Sequence, residues 1–319
     1  MLRRIVFLAA ACTLSAIAFA QPYPAKPLHL VVPFPPGGGT DLVARNISRD
    51  LAAALGQPVI VENRPGGGGL VAWTETAKAV ADGYTMVMIA NNLRLYPLMG
   101  SKLNFDPDRD LVPVAAIASV PMVLVGSHKA PAGDLRALLA AARSAPGTIN
   151  YATPGYGSPH HLATALFATE THVALTHVPY KGTAPVLNDL LADQVEIAFL
   201  GLSAAIPHIK SGKLRPYGVA ALKRSAIAPD MPTIGENGGP VFDASYWYAI
   251  AVPAGTPGAV VERLSAEVLK VLARPATQEA FLKQGFEPMP AGAAEAAKLL
   301  ADEVTKWKRP ILEAKVRVE

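Results

Sequence analysis

Hydrophobic and polar positions change period several times along the chain. Val31 and Val32 form a short apolar run that breaks at Pro33 to Gly39. Apolar residues then return at Val43, Ile47, Leu51 and Leu55, the spacing of one helix face. This predicts a buried strand, a proline and glycine turn, and an amphipathic helix for which Thr40 or Asp41 is a suitable cap and Gly56 a stop. PVIVEN (58–63) predicts a second strand, RPGGGG (64–69) a second glycine loop, GLVAWTETAKAV a helix, and DGYTMVMIANN a turn and strand reaching Asn91 and Asn92. Strands alternating with helices at this interval imply an α/β fold with a parallel sheet covered on both faces. Ligands in such sheets sit beyond the carboxyl ends of the strands, where 35–41, 64–69 and 91–94 would gather.

From 111 the chain runs LVPVAAIASVPMVLVGS, nearly all apolar and long enough for two strands or for one strand crossing between lobes. A fresh alternation follows. DLRALLAAARS, LATALFATE and VLNDLLA read as helices, TINYAT, VALTHVPY, VEIAFL and LRPYGVAAL as strands, and PGYGSPHH and KGTAP as loops. Residues 222–245 are rich in Pro, Gly and Asp and form a long connection, after which ASYWYAIAVPAG is apolar again and suits a return to the first lobe. The remainder reads as helical. Two lobes with two crossings result, the first from 21–124 and 246–319 and the second from 125–245.

Composition adds a compartment. Arg3 and Arg4, the apolar run from Ile5 to Ile17 and the closing Ala18, Phe19, Ala20 have the layout of a signal peptide over residues 1–20, cleaved near Ala20 for export to the periplasm. A retained anchor is the alternative, but the run is shorter than the roughly 20 residues a spanning helix needs. Cys12 is the only cysteine and falls in this segment, so the mature chain would hold no disulfide and depend on burial. Losing Arg3 and Arg4 takes the formal charge from +4 to +2. Basic residues are scattered without an aromatic-interleaved stripe, which argues against nucleic acid as a partner.

Catalytic constellations do not emerge. Asp106, Asp108 and Asp110 start like a calcium loop, but Leu111 and Ile117 stand where its Gly and its bidentate Glu belong. His160 and His161 are adjacent without an HExxH pattern, and GLSAA lacks the last Gly of a nucleophile elbow. The turn at Gly37–Gly39 fits neither a P-loop nor GxGxxG, since no Lys follows and Leu42 occupies the last Gly position. Glycines and the free N–H groups of a helix start suit an anion there, and a tight turn without ligand is the alternative. Thr40, Asn92, Ser158, His161 and the turn at Tyr180–Thr183 are polar groups on glycine loops, each explicable singly as a cap or a surface residue.

The segments PAKPLHLVVPFPPGGGTDLVAR, LGQPVIVENRPGGGGLVA, DGYTMV, GYGSPHHLATALF, HVPYKGTAPVLNDLL, IPHIKSGKLRP, MPTIGENG and YWYAIAVPAGTP together resemble the Bug-type solute-binding receptors of tripartite tricarboxylate transporters, in family order and over nearly the whole mature chain. The resemblance implies a two-lobed periplasmic binding protein of the Venus-flytrap kind, type II-like and monomeric. It would close on a small organic acid, without cofactor, metal or catalytic group, while separate membrane subunits perform transport. The expected ligand-binding residues are Phe34, Pro36, Gly38, Gly39, Thr40 and Asp41 on the first turn and Asn91 and Asn92 after the third strand. On the second lobe they are Gly157, Ser158 and His161 with Tyr180, Lys181, Gly182 and Thr183. Two departures shape the expected ligand. Many relatives carry Asp where this chain has Leu200, which implies an acid without a cationic group, a dicarboxylate or an aromatic acid. Asn92, with Arg94, stands where small residues are common and is expected to meet the far polar end of the ligand. The rival functions are a receptor reporting to a membrane sensor and an exported enzyme acting on a carboxylic acid.

Overall fold

The computed structural model describes residues 23–313 and 315–317, so the expected signal peptide and its cysteine lie outside the described residues. In the first lobe, strand β1 (Leu28–Val32) leads through the glycine turn to helix α1 (Gly39–Leu55), and β2 (Val59–Asn63) leads to α2 (Leu70–Ala77). Strand β3 (Thr85–Ala90) and the long β4 (Leu111–Val120) complete this half. The predicted helix face is the buried one, since Val43, Ile47 and Leu51 are fully enclosed and Gly56 ends α1 in the left-handed conformation at φ 69°. The second lobe runs β5 (Met122–Gly126), α3 (Leu135–Ser144), β6 (Asn150–Thr153), α4 (Pro159–Thr171), β7 (Thr176–Pro179), α5 (Thr183–Leu191), β8 (Ile197–Gly201), α6 (Leu202–Lys210) and β9 (Arg215–Val219). The chain then returns with β10 (Tyr246–Pro253), α7 (Gly258–Leu272), α8 (Pro275–Lys283), β11 (Glu287–Gly292) and α9 (Ala293–Glu313).

Two mixed sheets result, ordered β11-β4-β10-β3-β1-β2 and β7-β6-β8-β5-β9. Parallel pairing holds for β1 with β2 and β3, and for β6 with β7 and β8. The expectation of a parallel sheet needs correcting elsewhere. β10 is antiparallel to β3 and β4, β11 to β4, and β5 to β8 and β9. These strands lead between the lobes or extend the sheet beyond β4, so their direction does not come from a helical crossover. β11 was not expected in the C-terminal part, which reads as helical. β11 carries Pro288 and Pro290 and lies at a sheet edge, where a missing amide proton is tolerated and no alternating pattern marks a strand.

Only Pro121 separates β4 from β5, so the first crossing is a strand that changes sheet. Leu202 N–H donates to the Pro121 carbonyl at 2.8 Å and Ala220 N–H to that of Met122 at 2.8 Å. The second crossing joins the same bundle through Ala244 N–H, which donates to the Ala220 carbonyl at 3.0 Å. Every residue of β10 is buried, as expected for a strand covered on both faces. Its Trp247 donates to the buried Glu303 carboxylate at 3.1 Å, and Trp307 donates to the other oxygen at 2.5 Å, fastening α9 to the crossing strand.

Gly285, between α8 and β11, is a further contact between lobes. Its φ is +79°, and a Cβ there would stand 2.1 Å from the Ser203 Cβ and 2.5 Å from the Ser203 Cα in α6. Gly285→Ala is therefore expected to lower stability by roughly 2 kcal/mol or more in urea unfolding. Gly212→Ala, at φ +72° with open space around it, serves as the comparison and should cost only about 1 kcal/mol.

Candidate functional site

The turn between β1 and α1 is braced from beneath. Asp41 is 2 % exposed, and its carboxylate accepts from Gly37 N–H, Arg45 Nε and Asn63 Nδ2, each at 2.9 Å. Asn63 Nδ2 also donates to the Phe34 carbonyl at 3.0 Å. Burial alone would raise the Asp41 pKa, but the hydrogen bonds from Arg45, Gly37 and Asn63 outweigh it and hold the carboxyl below its ordinary 3.8. The capping expectation is corrected here. Gly38 is the N-cap without any side-chain cap, and the Asp41 carboxylate turns back to the loop. The first helical bond runs from Leu42 N–H to the Gly38 carbonyl at 3.0 Å, so the amides of Gly39, Thr40 and Asp41 precede the ladder. Phe34 is half-buried and Pro36 exposed on the same turn.

Beneath these amides lies the crossing strand. The Tyr248 hydroxyl is 3.1 Å from where a Cβ on Gly39 would be, and the Tyr246 hydroxyl is 3.2 Å from the same point on Gly201, at the start of α6 in the other lobe. The two rings meet edge to face at 5.5 Å. Burial raises both tyrosine pKa values, so both stay neutral.

Across the cleft, Ser158 caps α4 by accepting from His161 N–H at 3.2 Å. Asn92 Nδ2 donates to the Gly157 carbonyl at 3.3 Å, bridging the lobes, and Asn91 N–H donates to the Trp247 carbonyl at 3.2 Å. Asn91 and Asn92 therefore connect β10 with the Gly157–Ser158 loop. The Tyr180–Thr183 turn is tied to the same second-lobe loop, because Gly182 N–H donates to the Pro154 carbonyl at 3.1 Å. Its Tyr180 hydroxyl donates to Asp189 at 2.6 Å, Lys181 is exposed, and Thr183 is half-buried. His161 faces the edge of the second sheet. Its Nδ1 accepts from Gly157 N–H at 3.1 Å, its ring stacks on His177 at 4.2 Å, and it borders a groove of about 280 Å³ with Tyr151 and Val316.

Three residues that the sequence pattern did not single out stand at the cleft. His160 packs 5.5 Å from Tyr246, and Tyr246 and Tyr248 share one face of β10. The signal for the tyrosines was present in YWY, since a strand puts residues two apart on one side. Arg94 pairs with Asp108 at 2.6 Å, so its charge is met inside the first lobe. Asp106 and Asp110 close their own turn, with Asp106 N–H donating to Asp110 at 2.8 Å and Asp108 N–H to Asp106 at 2.9 Å. Leu200 is fully buried in the smaller apolar cluster of the second lobe.

The sequence pattern of the Tripartite tricarboxylate transporter family receptor matches residues 43–316. The chain belongs to this receptor family. BugT of Bordetella pertussis is 38 % identical over 320 residues, covering 98 % of this chain and 97 % of that protein. Among solved structures, the periplasmic binding protein BugD superposes with a TM-score of 0.83 at 31 % identity, covering 93 % of this chain and 100 % of that one. An R. palustris protein with adipate gives 0.86 at 32 %, with 93 % and 100 % covered. MatC from Rhodopseudomonas palustris with bound malate gives 0.82 at 32 %, with 91 % and 100 % covered. The Bug-type receptor fold accounts for the two sheets and the two crossings. Among the described residues of this receptor, no helix is long and apolar enough to cross a membrane.

Two expectations follow for this receptor. Asp41→Ala leaves Gly37 N–H, Asn63 and Arg45 without their acceptor, and should lower stability by about 1–3 kcal/mol in urea unfolding. The Asp41 contribution is complete above pH 3.8 and fades as pH falls through its lower folded value. The histidines act over a higher range. Burial holds His160 down to about 4, His161 to about 3 with His177 adding to the effect, and His177 to about 4, all against an ordinary 6.5. The unfolded chain binds these protons first, so stability is full above pH 6.5 and declines as pH falls toward 4. Urea midpoints measured across that range should show the decline, and His161→Asn, which keeps an acceptor near Gly157 N–H, should flatten it.

Proposed function

We propose that this receptor captures a small carboxylate in the periplasm, after cleavage near Ala20, and delivers it as a monomer to the membrane subunits of a tripartite tricarboxylate transporter. The observation that supports the reading is the set of amides from Gly39 to Asp41 preceding the α1 ladder, braced by the buried Asp41 carboxylate. Amide dipoles at a helix start attract a carboxylate, and fixed dipoles in a closed cleft replace its water shell. The ligand is a di- or tricarboxylate or an aromatic acid without a cationic group. Adipate and malate in related structures support the carboxylate class. Higher affinity for the closed arrangement than for an open one would make closure the signal to the transporter.

Thermal-shift measurements over a panel of mono-, di- and tricarboxylates test this. A bound acid should raise stability by about 2.7 kcal/mol at a hundredfold excess over its Kd. Chromatography should then recover that acid unchanged, whereas turnover would support an enzyme. Gly39→Val, whose Cβ would press on the Tyr248 hydroxyl from 3.1 Å, should weaken binding at least about tenfold by calorimetry.

A further inference from the structure

The loop that follows β6 in the second lobe is held by two histidines. His161 on α4 and His177 on β7 stack at 4.2 Å with 16° between their rings. Each reaches the loop at a different point. His161 Nδ1 accepts from Gly157 N–H at 3.1 Å, which requires the neutral ring that burial enforces. His177 Nε2 lies 2.6 Å from the Thr153 hydroxyl, which in turn is 3.3 Å from both the amide nitrogen and the carbonyl oxygen of Gly155. One proton pattern satisfies all of these groups. The His177 Nε2–H and the Gly155 N–H donate to the Thr153 oxygen, and its hydroxyl proton goes to the Gly155 carbonyl. Stacking on Tyr151 at 4.8 Å and an edge contact with Tyr156 at 4.9 Å hold the His177 ring in place.

We propose that His177 is a positioning residue of the ligand site, acting with His161 as a clasp that gives the Thr153–Ser158 loop a single shape. The inference rests on the receptor reading above, with this loop as the second lobe's part of the site. The loop lies beyond the carboxyl end of β6, which is parallel to both its neighbours, and Gly157 meets the first lobe there, since its carbonyl accepts from Asn92. Its own backbone does not fix it. Gly155 and Gly157 have φ of +142° and +68°, and glycine loses more conformational freedom on ordering than any other residue. A loop ordered beforehand spares an arriving acid that cost. Two phenylalanines would fill the same space, so the polar contacts are what the imidazoles add.

Substitutions along the clasp separate this role from packing. His177→Phe keeps the stack without the donor, Thr153→Val removes the same contact from the side of the loop, and His177→Gln keeps a donor in the place of Nε2. Thr176→Ala is the comparison on the same strand, where it removes a hydrogen bond of 2.7 Å to the Gly147 carbonyl and leaves the loop alone. Calorimetry at neutral pH with succinate, citrate and benzoate reads the site, and amide NMR of the ligand-free protein reads Gly155 and Gly157. His177→Phe and Thr153→Val should displace both amide signals and weaken every probe that the unaltered protein binds by at least about threefold. His177→Gln should restore both readouts, and Thr176→Ala should lower the urea midpoint with Kd unchanged. Unchanged Kd values in folded His177→Phe and Thr153→Val would overturn the inference and leave the receptor reading intact. So would a loss in His177→Gln or Thr176→Ala as large as that in His177→Phe. Absence of binding by these probes and by the wider carboxylate panel would overturn the receptor reading, and the site role of the clasp with it.

Discussion

The arrangement depends on how closely two glycine backbones lie over two tyrosine hydroxyls. Tyr248 sits under Gly39 at the start of α1, and Tyr246 sits under Gly201 at the start of α6, so one strand seats a helix end from each lobe. A Cβ at either glycine would press on a tyrosine hydroxyl, which would have to give way. Because residues two apart share a face, Trp247 between the tyrosines presents its indole to the opposite side, where Glu303 holds it. The C-terminal helix thereby fixes the strand that floors the cleft.

Among the described residues, charge is handled without a free cation at the turn. Asp41 is satisfied by its own loop and by Arg45, Arg94 is paired with Asp108, and the cleft histidine is kept neutral by burial. What the first turn presents to an anion is a row of amides. That arrangement gives direction as well as attraction, since each N–H has a fixed orientation and needs no reorganisation when a carboxylate arrives.

Much of this was legible where local pattern and tertiary packing agree. The four-residue apolar repeat from Val43 to Leu55 is the buried face of α1, and the apolar run around Pro121 does contain two strands. Legibility failed where context decides. A brace and a cap look alike in PGGGTD, and only the position of Asn63 and Gly37 makes Asp41 the former. His160 and His161 are likewise equivalent as letters. The helical rotation between neighbours places one against Tyr246 and the other against His177. β11 was hidden because its prolines suit an edge and its pairing partner lies more than 160 residues earlier.

Pro121 sets a mechanical limit. A proline ring locks its own φ and confines the residue before it to extended conformations, so the step from Val120 to Met122 has little torsional freedom. The other crossing carries no such lock at Ala244 and Ser245, between the Phe242 core contact and the anchored Trp247. Any change of angle between the lobes is then unevenly shared. On backbone grounds the β4–β5 step is the stiffer crossing, while the return segment is tied by Ala244 N–H to the Ala220 carbonyl.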